Sequence, residues 1–236
     1  MDAIVYHFHL PDGRAESIRV EAAFAQPAGP SDDLPGWTRL EQHQCPNCPL
    51  TPGEAPHCPM ALQFVELVRL SHALPSFAAL QVEVETAQRT VSKETSVQRA
   101  FSSLMGLLAA TSDCPRTRFL RPMAHFHLPF ASIEETIYRA TATFLLARYF
   151  GQQAGRPQDW SLDALKAAYR ELQMVNRSMA NRLRSACELD GAVNALVILD
   201  VLAKTLPGSI DDALEEIRPM FADFPELLDP PGDDSS

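Results

Sequence analysis

Four of the five cysteines in this chain are followed by proline: Cys45-Pro46, Cys48-Pro49, Cys58-Pro59 and Cys114-Pro115. Cys187 is not. Thiolates are good ligands for borderline and soft metals. A proline directly after a ligand fixes the backbone there, excludes helix and removes one N–H donor. Cys45 and Cys48 form a C-x2-C pair able to chelate one ion on a tight turn. Cys58 lies close by, and a helix beginning near residue 96 would deliver Cys114 at its end. The four are read as one metal site drawn from a knuckle and two separate positions. The plain alternative is a set of small thiols packed as hydrophobes.

Zinc is the first choice of metal, since four thiolates in tetrahedral array are a common structural zinc site. An iron–sulfur cluster on the same four cysteines is the alternative, although the spacing C-x2-C-x9-C with a distant fourth cysteine matches neither ferredoxin pattern. Dithiol redox catalysis falls lower. Cys45-Pro-Asn-Cys48 resembles a thioredoxin-type pair, but such a pair sits at a helix N-terminus, and Pro49, Pro52 and Pro56 leave no room for one. His43 and His57 stand beside the cysteines as possible substitute ligands.

The pentapeptide HFHLP occurs at His7–Pro11 and again at His125–Pro129. In extended chain it would put both imidazoles on one face. At His7 and His9 a solvated strand face is the reading. The second copy lies among Arg116, Arg118, Arg121 and Glu134, so these residues with His125 and His127 form a candidate ligand-binding segment. Its sharper use would be a small enzyme in which the arginines capture an anion and His127 or Glu134 moves a proton. Glu135 is assigned to a helix cap instead.

The elements that must hold these residues follow from periodicity. Residues 3–10 and 16–24 alternate around Pro11-Asp12-Gly13, and residues 80–93 alternate again, predicting two hairpins. Trp37–Gln44 reads as a third short strand, and 60–74 as a helix. From residue 96 the chain is helical, with capping boxes expected at Thr95/Gln98 and Ser132/Glu135 and a cap at Ser161. The fold class is α+β: a small antiparallel sheet in the N-terminal half packed on a C-terminal helical bundle. Residues 1–228 form one domain, sheet-rich to 95 and helical from 96, and 229–236 form a disordered tail.

In helix 161–187, Leu162, Leu165, Tyr169, Leu172, Asn176, Met179, Leu183 and Ala186 recur at spacings of three and four. The seam fits the core stripe of an antiparallel bundle, with a homodimer or protein partner through this helix as the other option. Its cations, Lys166, Arg170, Arg177, Arg182 and Arg184, precede a strongly acidic end in which residues 188–236 hold 12 Asp/Glu against 2 Lys/Arg. The acidic helix is therefore expected to lie beside the basic one.

A net charge of −10 argues against nucleic acid and against anionic membranes. No basic and apolar leader opens the chain, and Ala192–Ala203 is too short to span a bilayer, so a cytoplasmic protein is expected. No Walker A, G-x-G-x-x-G, G-x-S-x-G or H-E-x-x-H sequence is present.

HQCPNCPL at 43–50, HCPMAL at 57–62 and the stretch 111–140 resemble an uncharacterised bacterial domain family of unknown function. The resemblance implies a single domain and a bacterial cytoplasmic setting, with no chemistry and no site residues attached. The resulting expectation is a metal-binding module, with zinc on Cys45, Cys48, Cys58 and Cys114, that works by binding or regulation.

Overall fold

Strict alternation in the first residues builds a strand with one greasy face. In β1 (Ile4–His9), Ile4, Tyr6 and Phe8 are buried while His7 and His9 look outward. It pairs antiparallel with β2 (Ala15–Val20) on one side and β3 (Ala79–Glu85) on the other; β4 (Thr90–Ser96) closes the order β2-β1-β3-β4. Leu80, Val82 and Val84 continue the buried face. Burial of each such large apolar side chain is worth about 1.5–3 kcal/mol. The other face stays wet, as antiparallel sheets allow. There His7 Nδ1 meets the Ser17 hydroxyl at 2.8 Å and His9 lies 3.7 Å from Glu83.

The structure, a computed structural model, describes residues 3–10, 13–21, 34–72, 74–186 and 191–222, with only the backbone at 191, 202 and 204–209. The expected tail and Cys187 lie outside the described residues. The class is α+β, with a four-stranded antiparallel sheet in the N-terminal half and helices mostly C-terminal.

Two short helices, α1 (Pro59–Gln63) and α2 (Val65–Ser71), replace the single helix expected over 60–74, breaking at Phe64. Then come α3 (Val97–Thr111), α4 (Arg121–His125), α5 (Ile133–Gln153), α6 (Asp163–Arg184) and α7 (Gly191–Ile217). Helix α3 lies in the core: eleven of its fifteen residues, Phe101 and Leu104 among them, are buried. Ser132 and Glu135 form the expected capping box on α5.

Two caps differ from expectation. Ser96 rather than Thr95 precedes α3, and no side chain caps it; β4 runs straight into the helix, so Val97 N–H donates to Ala78 O and Gln98 N–H to Ser76 O. Ser161 instead donates to Asp159, leaving Leu162 at the start of α6. The stretch 37–44 is not a strand. It holds a 3-10 turn, Gly36–Thr38, and one isolated bridge, Arg39 to His57.

The seam of α6 is internal. Leu165, Tyr169, Leu172, Asn176, Met179 and Leu183 are all buried within this one chain, which is the bundle arrangement. A partner on this helix would have to use its outer face. Helix α7 lies alongside, and Lys166 Nζ reaches Asp211 at 2.7 Å, so the acidic helix does pack beside the basic one.

Gly106 sits in the middle of α3, facing α7. A Cβ there would meet only Leu199 Cδ2 at 3.9 Å, an ordinary contact. Gly106→Ala should therefore stabilise the fold by about 0.5–1 kcal/mol through helix propensity. Urea unfolding of the two proteins measures this, and a loss of stability would show that the α3–α7 approach is tighter than described.

Candidate functional site

Proline after cysteine acts the same way twice. In Cys45-Pro-Asn-Cys48 the Cys48 N–H closes a turn on Cys45 O at 3.0 Å, and in Cys114-Pro-Arg-Thr117 the Thr117 N–H closes on Cys114 O at 3.1 Å. Proline stands second in each, where its fixed φ suits a β-turn. At Cys58, which is extended as the residue before a proline should be, Pro59 opens α1 and Leu62 N–H returns to Cys58 O at 3.0 Å. Cys58 N–H in turn donates to Thr38 O at 2.8 Å, pinning the loop.

These turns bring all four Cys-Pro cysteines to one place. Cys45, Cys48, Cys58 and Cys114 line a single cavity of about 20 Å³, closed by Leu40, Leu50, Met60, Val175, Met179 and Arg116. That volume admits one occupant the size of a water or an ion. Cys58 and Cys114 are buried, and Cys45 and Cys48 are partly so. As they stand the thiols do not close on a centre: among the described residues no three His, Cys, Asp or Glu side chains form a group able to hold a metal ion. All four are free cysteines.

The electrostatics around the cavity favour negative charge on sulfur in some places and oppose it in others. Burial first, and then the neighbouring Cys58, push the Cys45 thiol up to about 12, while the Ser178 hydroxyl on α6 and the other two cysteines also act on it. Burial also raises the Cys114 thiol. Against that, the backbone N–H groups of Arg116 and Thr117 point at its sulfur and favour the thiolate. Burial thus favours the neutral thiol at Cys45 and at Cys114; a bound metal ion would reverse that balance.

Arg182 is the residue that sequence reasoning missed. It is only 2% exposed, yet no carboxylate pairs with it among the described residues. Its guanidinium donates to Trp37 O at 2.7 Å, to Arg39 O, and to Leu40 O at 3.2 Å. Burial lowers its pKa, and Cys58, Cys45 and Cys48 oppose that. A buried cation needs compensation; three carbonyl oxygens provide it here, and the cysteines are the nearby groups that could become anionic. In the sequence it was one more cation on a basic helix.

The candidate ligand-binding segment does not assemble as one cluster. Arg116 belongs to the cysteine cavity, where its Nε donates to Asn47 O at 2.6 Å and its Nη1 lies 3.7 Å from Glu171. Asn47 also donates to Glu171 Oε2 at 2.7 Å, tying the knuckle to α6. Arg121 pairs with Asp113 at 2.9 Å. Arg118, His125 and Glu134 are exposed. His125 ends α4 and His127 follows it, so the second HFHLP is not extended. Neither His43, exposed at φ 49°, nor His57, whose Nδ1 meets the Thr38 hydroxyl at 2.7 Å, lines the cysteine cavity.

His127 turns elsewhere. Its Nε2 lies 2.6 Å from Tyr6 OH, which also meets Ser103 Oγ at 2.8 Å, and Ser103 accepts from Phe130 N–H at 3.0 Å. That last bond holds Phe130 at a left-handed φ of 58°. While accepting from Phe130, Ser103 can still donate its one hydrogen to Tyr6 OH, which leaves the phenol able to donate to a neutral imidazole. His127 borders a second, far larger, half-open cavity of about 690 Å³, lined by residues of β4, α3, α4, α5, α6 and α7 and of the loop before α5. Its walls include Leu107, Leu120, Met123, Tyr169, Leu172, Asn176 and Arg139. Met60 belongs to both cavities.

Burial, and then the Arg139 guanidinium, push the His127 imidazole down to about 3. The unfolded chain keeps the ordinary value near 6.5 and so binds the proton first. The stability His127 lends is fully present above about pH 6.5 and is lost as pH falls toward 3. The slope is at most about 1.4 kcal/mol per pH unit, less here because the residue is partly open. Urea unfolding between pH 7 and 4.5 should show the wild type losing more stability than His127→Gln, whose amide oxygen can accept from Tyr6. Parallel curves would contradict the assignment.

No helix among the described residues is long and apolar enough to cross a membrane. Searches of curated proteins and of solved structures return no match. The sequence model named "Domain of unknown function (DUF6901)" matches residues 4–222, nearly the whole chain, and the chain belongs to that family.

Proposed function

We propose that the chain is a metal-binding module in which Cys45, Cys48, Cys58 and Cys114 hold one zinc ion, chiefly as a staple, and that the module works in the cytoplasm by binding. The observation that carries this reading is the convergence of all four Cys-Pro cysteines on one ion-sized cavity beside a buried guanidinium. Four thiolates around Zn²⁺ carry about two net negative charges. Arg182 and Arg116 supply the compensating charge, and the N–H groups facing Cys114 supply outer-shell support.

Zinc would draw the four sulfurs inward to about 2.3 Å from the ion, a side-chain rearrangement that the turns permit. The site joins the loop after β2 to the end of α3 and, through Ser178, to α6. Loading therefore ties the sheet half to the helical half. Metal binding of this kind is coupled to folding.

The test is to strip and reduce the protein, add one equivalent of zinc, and count alkylatable thiols in the native state. Zinc should protect four of the five cysteines and raise the thermal midpoint. Five thiols equally reactive with and without zinc would overturn the reading. Protection that requires iron and sulfide instead would replace zinc with the cluster.

A further inference from the structure

The large cavity carries an inference that the cysteine site does not need. Its 690 Å³ falls in the range that encloses small organic ligands. The wall is mostly aliphatic, and its polar groups are one-sided. Lys93, Arg99 and Arg139 border it, and no Asp or Glu does among the described residues, in a chain whose net charge is −10.

Among the described residues, one polar donor on this wall lacks a protein partner, and one cation lacks a carboxylate. Asn176, 3% exposed in the otherwise apolar seam of α6, has a buried Nδ2 with no hydrogen-bond acceptor. A buried amide donor left unpaired is costly, and natural interiors rarely keep one. Arg139 is half-buried on α5. Its Nη2 donates to Met123 O at 2.7 Å and Phe126 O at 2.8 Å, and no carboxylate lies within 4 Å of it among the described residues. Glu135, one turn earlier, is engaged at the helix cap. Arg139 lies near Tyr169, and Asn176 follows Tyr169 by two turns of α6, about 10 Å along the helix.

We propose that this cavity binds an oxygenated aliphatic carboxylate, with its carboxylate on Arg139, its chain along Leu107, Leu120, Met123 and Leu172, and a second oxygen accepting from Asn176. The apolar wall selects the chain by burial. The guanidinium selects an anion over an alcohol, because charge-assisted hydrogen bonds are the strong ones. Asn176 selects a chain that bears an acceptor, since an unsubstituted chain leaves its N–H unpaired.

Calorimetric titration of the intact protein with decanoate, ω-hydroxydecanoate and 1-decanol tests each element. The hydroxy acid should bind best and the alcohol worst, with about tenfold between acid and alcohol. Arg139→Gln should erase the preference for acid over alcohol. Asn176→Leu, which removes the orphan donor and should fold at least as well, should erase the preference for the hydroxy acid alone. If Arg139→Gln does not fold, the wild-type ranking and the Asn176 variant still decide the matter. No binding by either acid, or equal binding by acid and alcohol, overturns the proposal. So do preferences that survive both substitutions. Zinc content does not enter these readouts, so this proposal and the metal reading fail separately.

Discussion

Under the proposed zinc site, Cys114→Ser should remove the metal and most of the stability together, whereas Cys187→Ser should leave both in place. As a ligand, Cys114 would tie the helical half to the loop: it follows α3 by three residues, while the other three cysteines come from residues 45–58. Its sulfur is buried, which favours the neutral thiol, while two backbone N–H groups face it and would support a thiolate once a metal ion is bound. Serine keeps the size but is a far weaker zinc ligand at neutral pH. Structural zinc sites contribute on the order of 10 kcal/mol to folding. Loss of one ligand should therefore cost several kcal/mol and release the ion. The measurement is metal per chain and the midpoint of thermal unfolding for both variants. Cys48→Ser, at a partly exposed position, repeats the test if Cys114→Ser aggregates. Full metal and unchanged stability in Cys114→Ser would refute the four-ligand site.

Arg182→Met should be the most damaging substitution outside the cysteines. It strands the buried carbonyl of Leu40 and the partly buried one of Trp37, and leaves Arg39 O with Gln42 N–H alone, in the loop that carries the first three cysteines. An unpaired buried acceptor costs about 1–3 kcal/mol, so with Leu40 O fully and Trp37 O partly shielded from water the loss is about 2–4 kcal/mol. It also removes the cation beside Cys45, Cys48 and Cys58. Outer-shell losses of this kind weaken metal binding by about 10- to 100-fold. A competition titration with a zinc chelator, beside urea unfolding, separates the two effects. Lower stability with unchanged zinc affinity would make Arg182 a brace for the loop and nothing more.

Much of this architecture was legible in the residues, and the exceptions have identifiable causes. The hairpins were readable because one face of the sheet is buried and the other wet, which writes period two into Ile4–His9 and Ala79–Glu85. The Ser132–Glu135 box was readable because it is local. The meeting of the four cysteines was signalled by their prolines, which set matching turns at Cys45 and Cys114.

What failed to show depends on distant partners. The chain from Trp37 to Leu40 looks like a strand, but its carbonyls are taken by Arg182, some 140 positions away, and not by a neighbouring strand. Thr95 looks like a cap, but the backbone of residues 76–78 satisfies the first donors of α3. The repeated HFHLP misled, since His7–His9 lie in a strand whereas His125 ends a helix and His127 follows it in a loop. Asn176 was visible as the one polar member of an apolar seam, yet only the fold reveals the cavity it borders.

The central claim is that four cysteines hold one zinc ion. Its most direct test is elemental analysis, with a visible spectrum, of protein purified without oxygen. One zinc per chain, no iron, no sulfide and no colour is the predicted result. Protein that is colourless, free of metal and fully folded, with all five thiols titrating, would contradict the account.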